Sequence, residues 1–246
     1  MRNPPGTTPQ KNENSLSVVL PVYNEAANIE KLIKKSLSCL QKVTDDFEII
    51  AVNDGSIDQS GQIIAGLAQE HPCIHFINNR ENQGYGRALR QGIDSARKSW
   101  ILLIDSDGQF DIAELGDFWR RKHGIDCLLG WRRKRNDPLL RVWLGAAGNA
   151  LANILLRPDF SVKDINCGFK LFKARAVKRL RLISTGGAIN FDILFRLKNA
   201  GLTCGQLPVK HFPRPAGRAT GGKAKTILKI CAESLKIIFT HATEDN

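Results

Sequence analysis

The sequence predicts an α/β fold built on a mostly parallel central sheet, and three observations carry that prediction. Strand-like and helix-like segments alternate through roughly the first 110 residues, the strand-like segments are apolar throughout, and carboxylates and turn residues cluster where those segments end. Alternation lays helices over both faces of one sheet. Unbroken apolar runs belong to strands buried on both sides, and in such sheets ligands bind beyond the carboxyl ends of the strands. Neither an internal repeat nor an interior linker divides the 246 residues. One domain is therefore expected over residues 15–215, with a polar, proline-bearing disordered tail at 1–14 and a basic loop plus a C-terminal amphipathic helix at 216–246.

Leu16 to Val22 is rich in β-branched and aliphatic side chains and makes the first strand. Ile29, Leu32, Ile33, Leu37 and Leu40 then recur at helical spacing. Phe47 to Val52 is the second strand, closed by the turn and capping residues Asn53, Asp54 and Ser56, and a helix is expected from about Ser56 to Glu70. Ile74 to Asn78 is the third strand, and the glycines at 84 and 86 introduce a helix from about Tyr85 to Ala96. Trp100 to Ile104 is the fourth strand. Beyond it the pattern loosens. A helix near Ile112 to Lys122, a short strand from Asp126 to Gly130, helices near Ala174 to Leu182 and Phe191 to Ala200, and a strand near Cys204 to Phe212 are expected in turn. The last helix, about Lys223 to Phe239, carries Ile227, Leu228, Cys231, Leu235 and Ile238 along one face.

With 42% hydrophobic and 24% charged residues, the chain has the balance of a folded globular protein. No uncharged apolar run reaches the roughly 18 residues of a membrane-spanning helix, and the amino-terminal stretch lacks the apolar core of a secretory signal. The six cysteines (Cys39, Cys73, Cys127, Cys167, Cys204 and Cys231) lie far apart and form no CxxC pair. Buried thiols in a reducing cytoplasm are expected, rather than zinc or a disulfide framework. Residues 1–111 hold 11 Lys/Arg against 14 Asp/Glu, and residues 112–246 hold 25 against 10. A formal −3 followed by +15 directs the second half toward an anionic partner: nucleic acid, an acidic membrane surface or a phosphorylated substrate.

Residues with chemical potential concentrate at strand ends. In Asp105-Ser106-Asp107-Gly108-Gln109 the two carboxylates are two residues apart. Side chains so spaced on an extended segment face the same way, with backbones roughly 6 to 7 Å apart. Both can converge on one hard cation, Mg2+ or Mn2+, that also takes oxygens of a diphosphate. The first strand ends in Pro21-Val22-Tyr23-Asn24-Glu25, where Tyr23 can pack on a base. Asp54, at the end of the second, can accept from a nucleobase or ribose, although its segment taken alone reads better as turn and cap residues. Glu81-Asn82-Gln83-Gly84-Tyr85-Gly86 has neither the phosphate-loop lysine nor GxGxxG, which argues against an NTPase or a dinucleotide-dependent dehydrogenase.

Taken together and in this order, VVLPVYNEAANI, VNDGSIDQSG, NQGYGRALRQGI and ILLIDSDGQF resemble the family 2 glycosyltransferases of the GT-A fold, over about residues 16–215. Within that family the chain looks most like synthases that transfer a sugar from a nucleotide sugar to polyprenyl phosphate, the dolichyl-phosphate mannose synthase type. The resemblance implies a single GT-A domain with a Rossmann-like sheet. It implies nucleotide-sugar contacts at Pro21, Tyr23, Glu25, Val52, Asp54, Asp105 and Ser106, and Mg2+ or Mn2+ held by Asp105, Asp107 and Gln109. Gly130-Trp131-Arg132 matches the family's Gly-x-Arg, and Asp164 to Lys170, DINCGFK, matches a segment beside the acceptor. His211 to Gly217 resembles a late Arg-x-x-Gly loop that closes over the donor, which makes Arg214 a phosphate ligand. Catalytic roles are thus expected for Asp107, Arg132 and Arg214, and acceptor-phosphate contacts for Arg132, Arg133, Arg141, Arg218 and Lys223.

Two positions depart from the family pattern. Thr220 stands where a lysine follows the late glycine, leaving its role to Arg218, Lys223 or Lys225, and Asp192 stands where many relatives carry glutamate. The QxxRW element of processive synthases is absent, which disfavours polymerisation. The implied reaction is direct, inverting attack by an acceptor phosphate oxygen on the anomeric carbon of the donor, GDP-mannose or a UDP-hexose. The implied location is peripheral, on the cytoplasmic face of an acidic membrane, with an integral membrane protein or a second copy as partner; Val142 to Leu156 and the last helix either meet that membrane or pack within the fold. Two alternatives stand beside this one. A family 2 enzyme with a soluble sugar or protein acceptor would need a base, with Asp164 and Asp192 as candidates. A nucleotide- or nucleic-acid-binding protein without turnover is disfavoured by an aromatic content of 7% and by acids at strand ends, and no nucleic acid partner is expected.

Overall fold

The computed structural model describes residues 12–133, 150, 153–154, 161–216 and 224–244. Lys134, Arg135, Arg141, Gly217, Arg218, Thr220, Lys223, most of 142–156 and the tail up to residue 11 lie outside the described residues. Four βα steps begin the chain: β1 (Leu16–Val22), α1 (Ala26–Leu40), β2 (Phe47–Asp54), α2 (Ser60–Glu70), β3 (Ile74–Asn79), α3 (Tyr85–Ser95) and β4 (Trp100–Leu103). A 3-10 turn at Ile112–Glu114 leads into α4 (Leu115–Arg120) and β5 (Cys127–Arg132). The described chain then runs through β6 (Lys170–Lys173), α5 (Ala174–Lys178), α6 (Ile189–Asn199), β7 (Cys204–Val209) and α7 (Ala224–Glu244).

The strands form one sheet in the order β3-β2-β1-β4-β6-β5-β7. All neighbours are parallel except β6, which runs antiparallel to both β4 and β5. The chain grows from β1 to β3 in one direction and resumes at β4 on the other side of β1. Between the carboxyl ends of β1 and β4 lies a topological switch point, the usual ligand crevice of an open α/β sheet.

Each central strand divides its side chains between two cores. Val18 and Leu20 pack with Ile29, Leu32 and Ile33 of α1, whereas Val19 packs with Leu89 and Ile93 of α3. All seven residues of β1 are buried, as a parallel strand covered on both faces requires. Close approach of α3 depends on Gly92, because a Cβ there would overlap the Val19 side chain.

Several boundaries differ from the sequence pattern, with local causes. The second helix starts at Ser60 because side chains take the N–H groups of the preceding turn. Asn53 Oδ1 accepts from Ser56 N at 3.3 Å, Asn24 Oδ1 from Ile57 N at 2.9 Å and Asp58 Oδ1 from Ser60 N at 2.9 Å. Strand β6 is not announced by the sequence: four residues, Lys-Leu-Phe-Lys, are too few to display a period, and partners on both sides place it. Residues 12–14 are tied down rather than part of a tail, since Asn12 O accepts from Ser15 N and Ser99 Oγ, and Asn14 Oδ1 from Lys122 Nζ. The expectation for the cysteines needs correction as well. Cys127 and Cys204 are register partners in β5 and β7, with Cα atoms 4.8 Å apart, and are joined as a disulfide. Only strand order brings together two residues 77 apart in sequence. Cys39, Cys73, Cys167 and Cys231 are free thiols.

Gly92→Ala tests the α3 packing. Helix propensity alone would favour alanine by about 1 kcal/mol, but overpacking against Val19 costs about 1 to 3 kcal/mol. The variant is expected to melt a few degrees below the wild type by calorimetry; a higher midpoint would contradict the contact.

Candidate active site

The loops after β1, β2 and β4 meet at the switch point, and polar side chains bind them together. Asn24 adopts a left-handed backbone, φ 55°, a conformation asparagine tolerates better than most residues. Its N–H donates to Ser56 Oγ at 2.9 Å while its side chain holds Ile57 N. The Glu25 N–H donates to Ser60 Oγ at 2.9 Å. These bonds fix the turn from Tyr23 to Glu25 against the loop that follows β2. Tyr23 is exposed at the rim, whereas Glu25 is buried.

Three carboxylates converge here, and two of them share one guanidinium. Asp105 Oδ1 accepts from the Tyr85 hydroxyl at 2.7 Å, and Asp107 Oδ1 accepts from Gln109 N at 3.1 Å. Arg214 pairs with Glu25 through Nη2 and reaches Asp107 Oδ2 from Nη1 at 3.4 Å. The second oxygen of Glu25 accepts from Asn28 Nδ2 at 2.7 Å. Burial, reinforced by the charge of Asp105, pushes the Asp107 carboxyl up to about 6 against the opposing pull of Gln109 N and Arg214. Glu25 is likewise raised by burial, against the pull of Asn28 and Arg214. Such a crevice stores electrostatic repulsion that a bound cation would relieve.

The late loop that supplies Arg214 is clasped to the segment after β4. Phe212 N donates to Gln109 O at 2.9 Å, Gln109 Nε2 donates to Phe212 O at 3.2 Å, and the Phe110 and His211 rings meet edge to face at 5.5 Å. Gly108, at φ 75°, leaves room for Pro215. The Gln109 Nε2 thus serves as one half of this clasp, and Oε1, the atom a cation would take, is not used by it.

Three residues expected to contact nucleotide also brace the crevice from within. Ser106 is buried and donates to Pro21 O at 2.6 Å, fastening the end of β4 to β1. Val52 lies wholly within the apolar core on the α3 side of the sheet. Asp54 is buried and accepts from Asn79 Nδ2 at 3.1 Å, Gln83 N at 2.9 Å and Gly84 N at 2.8 Å, so it holds the loop ahead of α3. For Ser106 and Asp54 the cause is shared: a short polar side chain at a crowded strand end satisfies neighbouring backbone.

On the other flank, Arg132 grips Asp164 with two bonds, Nε to Oδ2 at 2.6 Å and Nη2 to Oδ1 at 2.9 Å, both side chains being nearly buried. Arg132 is thus held in an ion pair, while Arg133 beside it is exposed. Asp192 is fully buried, where it accepts from Ile183 N at 2.6 Å, Ser184 N at 2.9 Å and Arg196 Nε at 2.8 Å. Neither Asp164 nor Asp192 is presented as a base. Lys170 is buried with its Nζ on Cys167 O and on Asn190 Oδ1 at 2.8 Å, and burial lowers its pKa while Cys167, Asp105 and Asp164 pull it back up.

Sequence patterns did not single out Tyr85, Asn28, Gly168 or Lys170 individually. Asn28 lies one turn into the helix after Glu25, where an i, i+3 partner is geometrically available. Gly168 and Lys170 belong to DINCGFK, and Tyr85 opens the helix next to the switch point; only the fold shows which carboxylate they meet. Among the described residues no three His, Cys, Asp or Glu side chains form a closed metal cage. Two carboxylates on an open crevice instead suit a cation that completes its shell with water and diphosphate oxygens.

The raised Asp107 carboxyl sets a pH dependence. Its folded value of about 6 exceeds the 3.8 of an unperturbed carboxyl, so the stabilising contribution is full below about pH 4 and disappears as pH rises through 6. The loss amounts to up to about 3 kcal/mol. Metal-free Asp107→Asn is therefore expected to melt above the wild type at pH 7.5, with the gap closing at pH 4; a gap independent of pH would contradict the assignment.

Residues 17–181 match the family described as Glycosyl transferase family 2. Two dolichyl-phosphate beta-glucosyltransferases of Trichomonas vaginalis resemble the chain. One is 30% identical over 179 residues, covering 66% of this chain and 52% of the relative. The other is 27% identical over 244 residues, covering 92% of this chain and 73% of the relative. The chain thus spans about half the length of the first. Among solved structures, glucosyl-3-phosphoglycerate synthase from Mycobacterium tuberculosis in complex with Mn2+, UDP and phosphoglyceric acid superposes with a TM-score of 0.69 at 17% identity, over 94% of this chain and 84% of that one. That likeness establishes the GT-A fold. With its strand-end carboxylates at the switch point and the family match running from β1 past β6, the chain belongs to glycosyl transferase family 2.

Proposed function

We propose that the chain transfers a hexose, with inversion, from a nucleotide sugar to a polyprenyl phosphate, and that UDP-glucose is the favoured donor. The observation that carries this reading is the pair Asp105 and Asp107 at the switch point, faced by Arg214 from the late loop. The two relatives named for glucosyl transfer to dolichyl phosphate support the sugar and the acceptor, and the synthase solved with Mn2+ and UDP supports the donor site.

The residues divide the work as follows. Asp105 and Asp107 would hold Mg2+ or Mn2+, whose charge stabilises the departing diphosphate. Arg214 exchanges Glu25 and Asp107 for donor phosphate oxygens, a geometry its fork of donors suits. Tyr23, exposed beside the crevice, packs on the base. The acceptor phosphate is ionised at neutral pH and attacks without a general base, which accords with Asp164 and Asp192 both being engaged in structural contacts. A hydroxyl acceptor would need a base, and this disfavours the soluble-acceptor alternative.

A polyprenyl acceptor places the working surface at a lipid boundary. Helix α7 turns Ser234 and Ile237 inward while Leu235 and Phe239, one turn apart, are 50% and 69% exposed, with Lys229 and Lys236 exposed on the same helix. No described helix is long and apolar enough to cross a membrane. An exposed apolar stripe edged by lysines suits peripheral attachment to an anionic bilayer.

The transfer reading is tested with UDP-glucose and GDP-mannose, Mn2+ and a short polyprenyl phosphate. Wild-type protein is expected to use UDP-glucose, and Asp107→Asn to lose about a hundredfold or more in turnover; near-normal turnover in the variant would remove the assignment. In a flotation assay with anionic liposomes, the double variant Leu235→Asp and Phe239→Asp is expected to stay at the bottom of the gradient while the wild type rises. Equal flotation would clear α7 of the attachment role.

A further inference from the structure

We propose that Tyr85 is a positioning residue that fixes Asp105 as the standing ligand of the donor-site cation, leaving Asp107 as the ligand released from Arg214. The inference rests on the metal reading given above. The two carboxylates are held by opposite kinds of partner. Asp107 faces a guanidinium, an interaction that cancels charge and must be given up when phosphate arrives. Asp105 accepts from the neutral Tyr85 hydroxyl at 2.7 Å, which orients the carboxylate and leaves its negative charge intact for a cation.

Tyr85 is itself set in place from several sides. It is the first residue of α3, and the segment entering that helix is anchored by Asp54, which accepts from Gln83 N and Gly84 N. Thr185 O accepts from Gly86 N at 2.9 Å and from Arg87 N at 3.2 Å. Gly84 and Gly86 permit this contact, because a Cβ at either would press within 3 Å of carbonyls in the 184–186 loop. That loop is secured in turn by Asp192, through Ile183 N and Ser184 N, and by Glu233 of α7, which accepts from Ser184 Oγ at 3.1 Å.

The opposite side of Asp105 is closed by Gly168. A Cβ at that position would overlap the Asp105 carboxylate, so backbone from DINCGFK forms one wall and the Tyr85 hydroxyl the other. Hydrogen bonds of this kind behind a metal ligand commonly govern affinity, and losing one typically weakens binding 10- to 100-fold. A phenol that served only to satisfy its own buried hydroxyl would not move metal affinity at all.

Tyr85→Phe decides between these roles. Mn2+ binding, followed by electron paramagnetic resonance with UDP present, is expected to weaken at least tenfold while the metal-free thermal midpoint stays within a few degrees of wild type. Excess Mn2+ is expected to restore turnover with UDP-glucose, because the defect is one of occupancy. Gly168→Ala, which displaces Asp105 from the other side, is expected to weaken Mn2+ as well, and it serves as the second probe if Tyr85→Phe does not fold. Unchanged Mn2+ affinity in a folded variant overturns the proposal, as does lost turnover that excess Mn2+ fails to restore. Absence of Mn2+ binding by the wild type with UDP would overturn the metal reading and this inference with it, whereas normal wild-type binding with an unaffected Tyr85→Phe would sink the inference alone.

Discussion

Repulsion among Glu25, Asp105 and Asp107 is the constraint around which the rest of the molecule is arranged. Like charges gathered in a half-buried crevice oppose folding, and their neighbours reduce that opposition without abolishing it. Arg214 neutralises part of it, a neutral hydroxyl orients part of it, and a proton on Asp107 remains bound at pH values where an ordinary carboxyl would have lost it. A fold that tolerates this arrangement stores electrostatic strain in the crevice, in the manner of functional sites that sacrifice stability for chemistry.

Tolerance comes from the scaffold beneath. Parallel strands buried on both faces deliver the three loops to one edge, and the short polar side chains at their ends bind one another before they meet solvent. Ser106 to Pro21, Asn24 to Ile57, and Asp54 to Gln83 and Gly84 are all bonds between segments far apart in sequence. Because each buried donor or acceptor left unmade would cost about 1 to 3 kcal/mol, such fastenings reinforce one another. They hold the carboxylates in register although electrostatics alone would part them.

The donor half of the fold is written plainly in the sequence. Long apolar runs announce β1 to β4, and the position of Asp105 and Asp107 after the fourth run places them at a crevice once the sheet is taken as parallel. What escapes notice depends on proximity across long separations. The Arg132–Asp164 pair, the Tyr85–Asp105 bond and the Cys127–Cys204 link each join residues 20 or more apart, and β6 is too short to leave a periodic trace. The core burial of Val52 and the internal bonds of Ser106 and Gln109 are hidden from the sequence for a related reason. Residue type and place in a motif specify neighbourhood, but burial and backbone demand settle whether a side chain points into the pocket or behind it.

The reversal of β6 has a further bearing on how such a protein can diversify. Its antiparallel course returns the chain to the rim beside β4, so DINCGFK comes back against Asp105 whatever path is taken after Arg133. The ladder pairs of β5 and β6 fix departure and return. The pairings of β1 with β2 and β4 do not involve the segment between. A single glycine wall is then the seam along which one half of the enzyme could be retailored to new acceptors while the other half stays as it is.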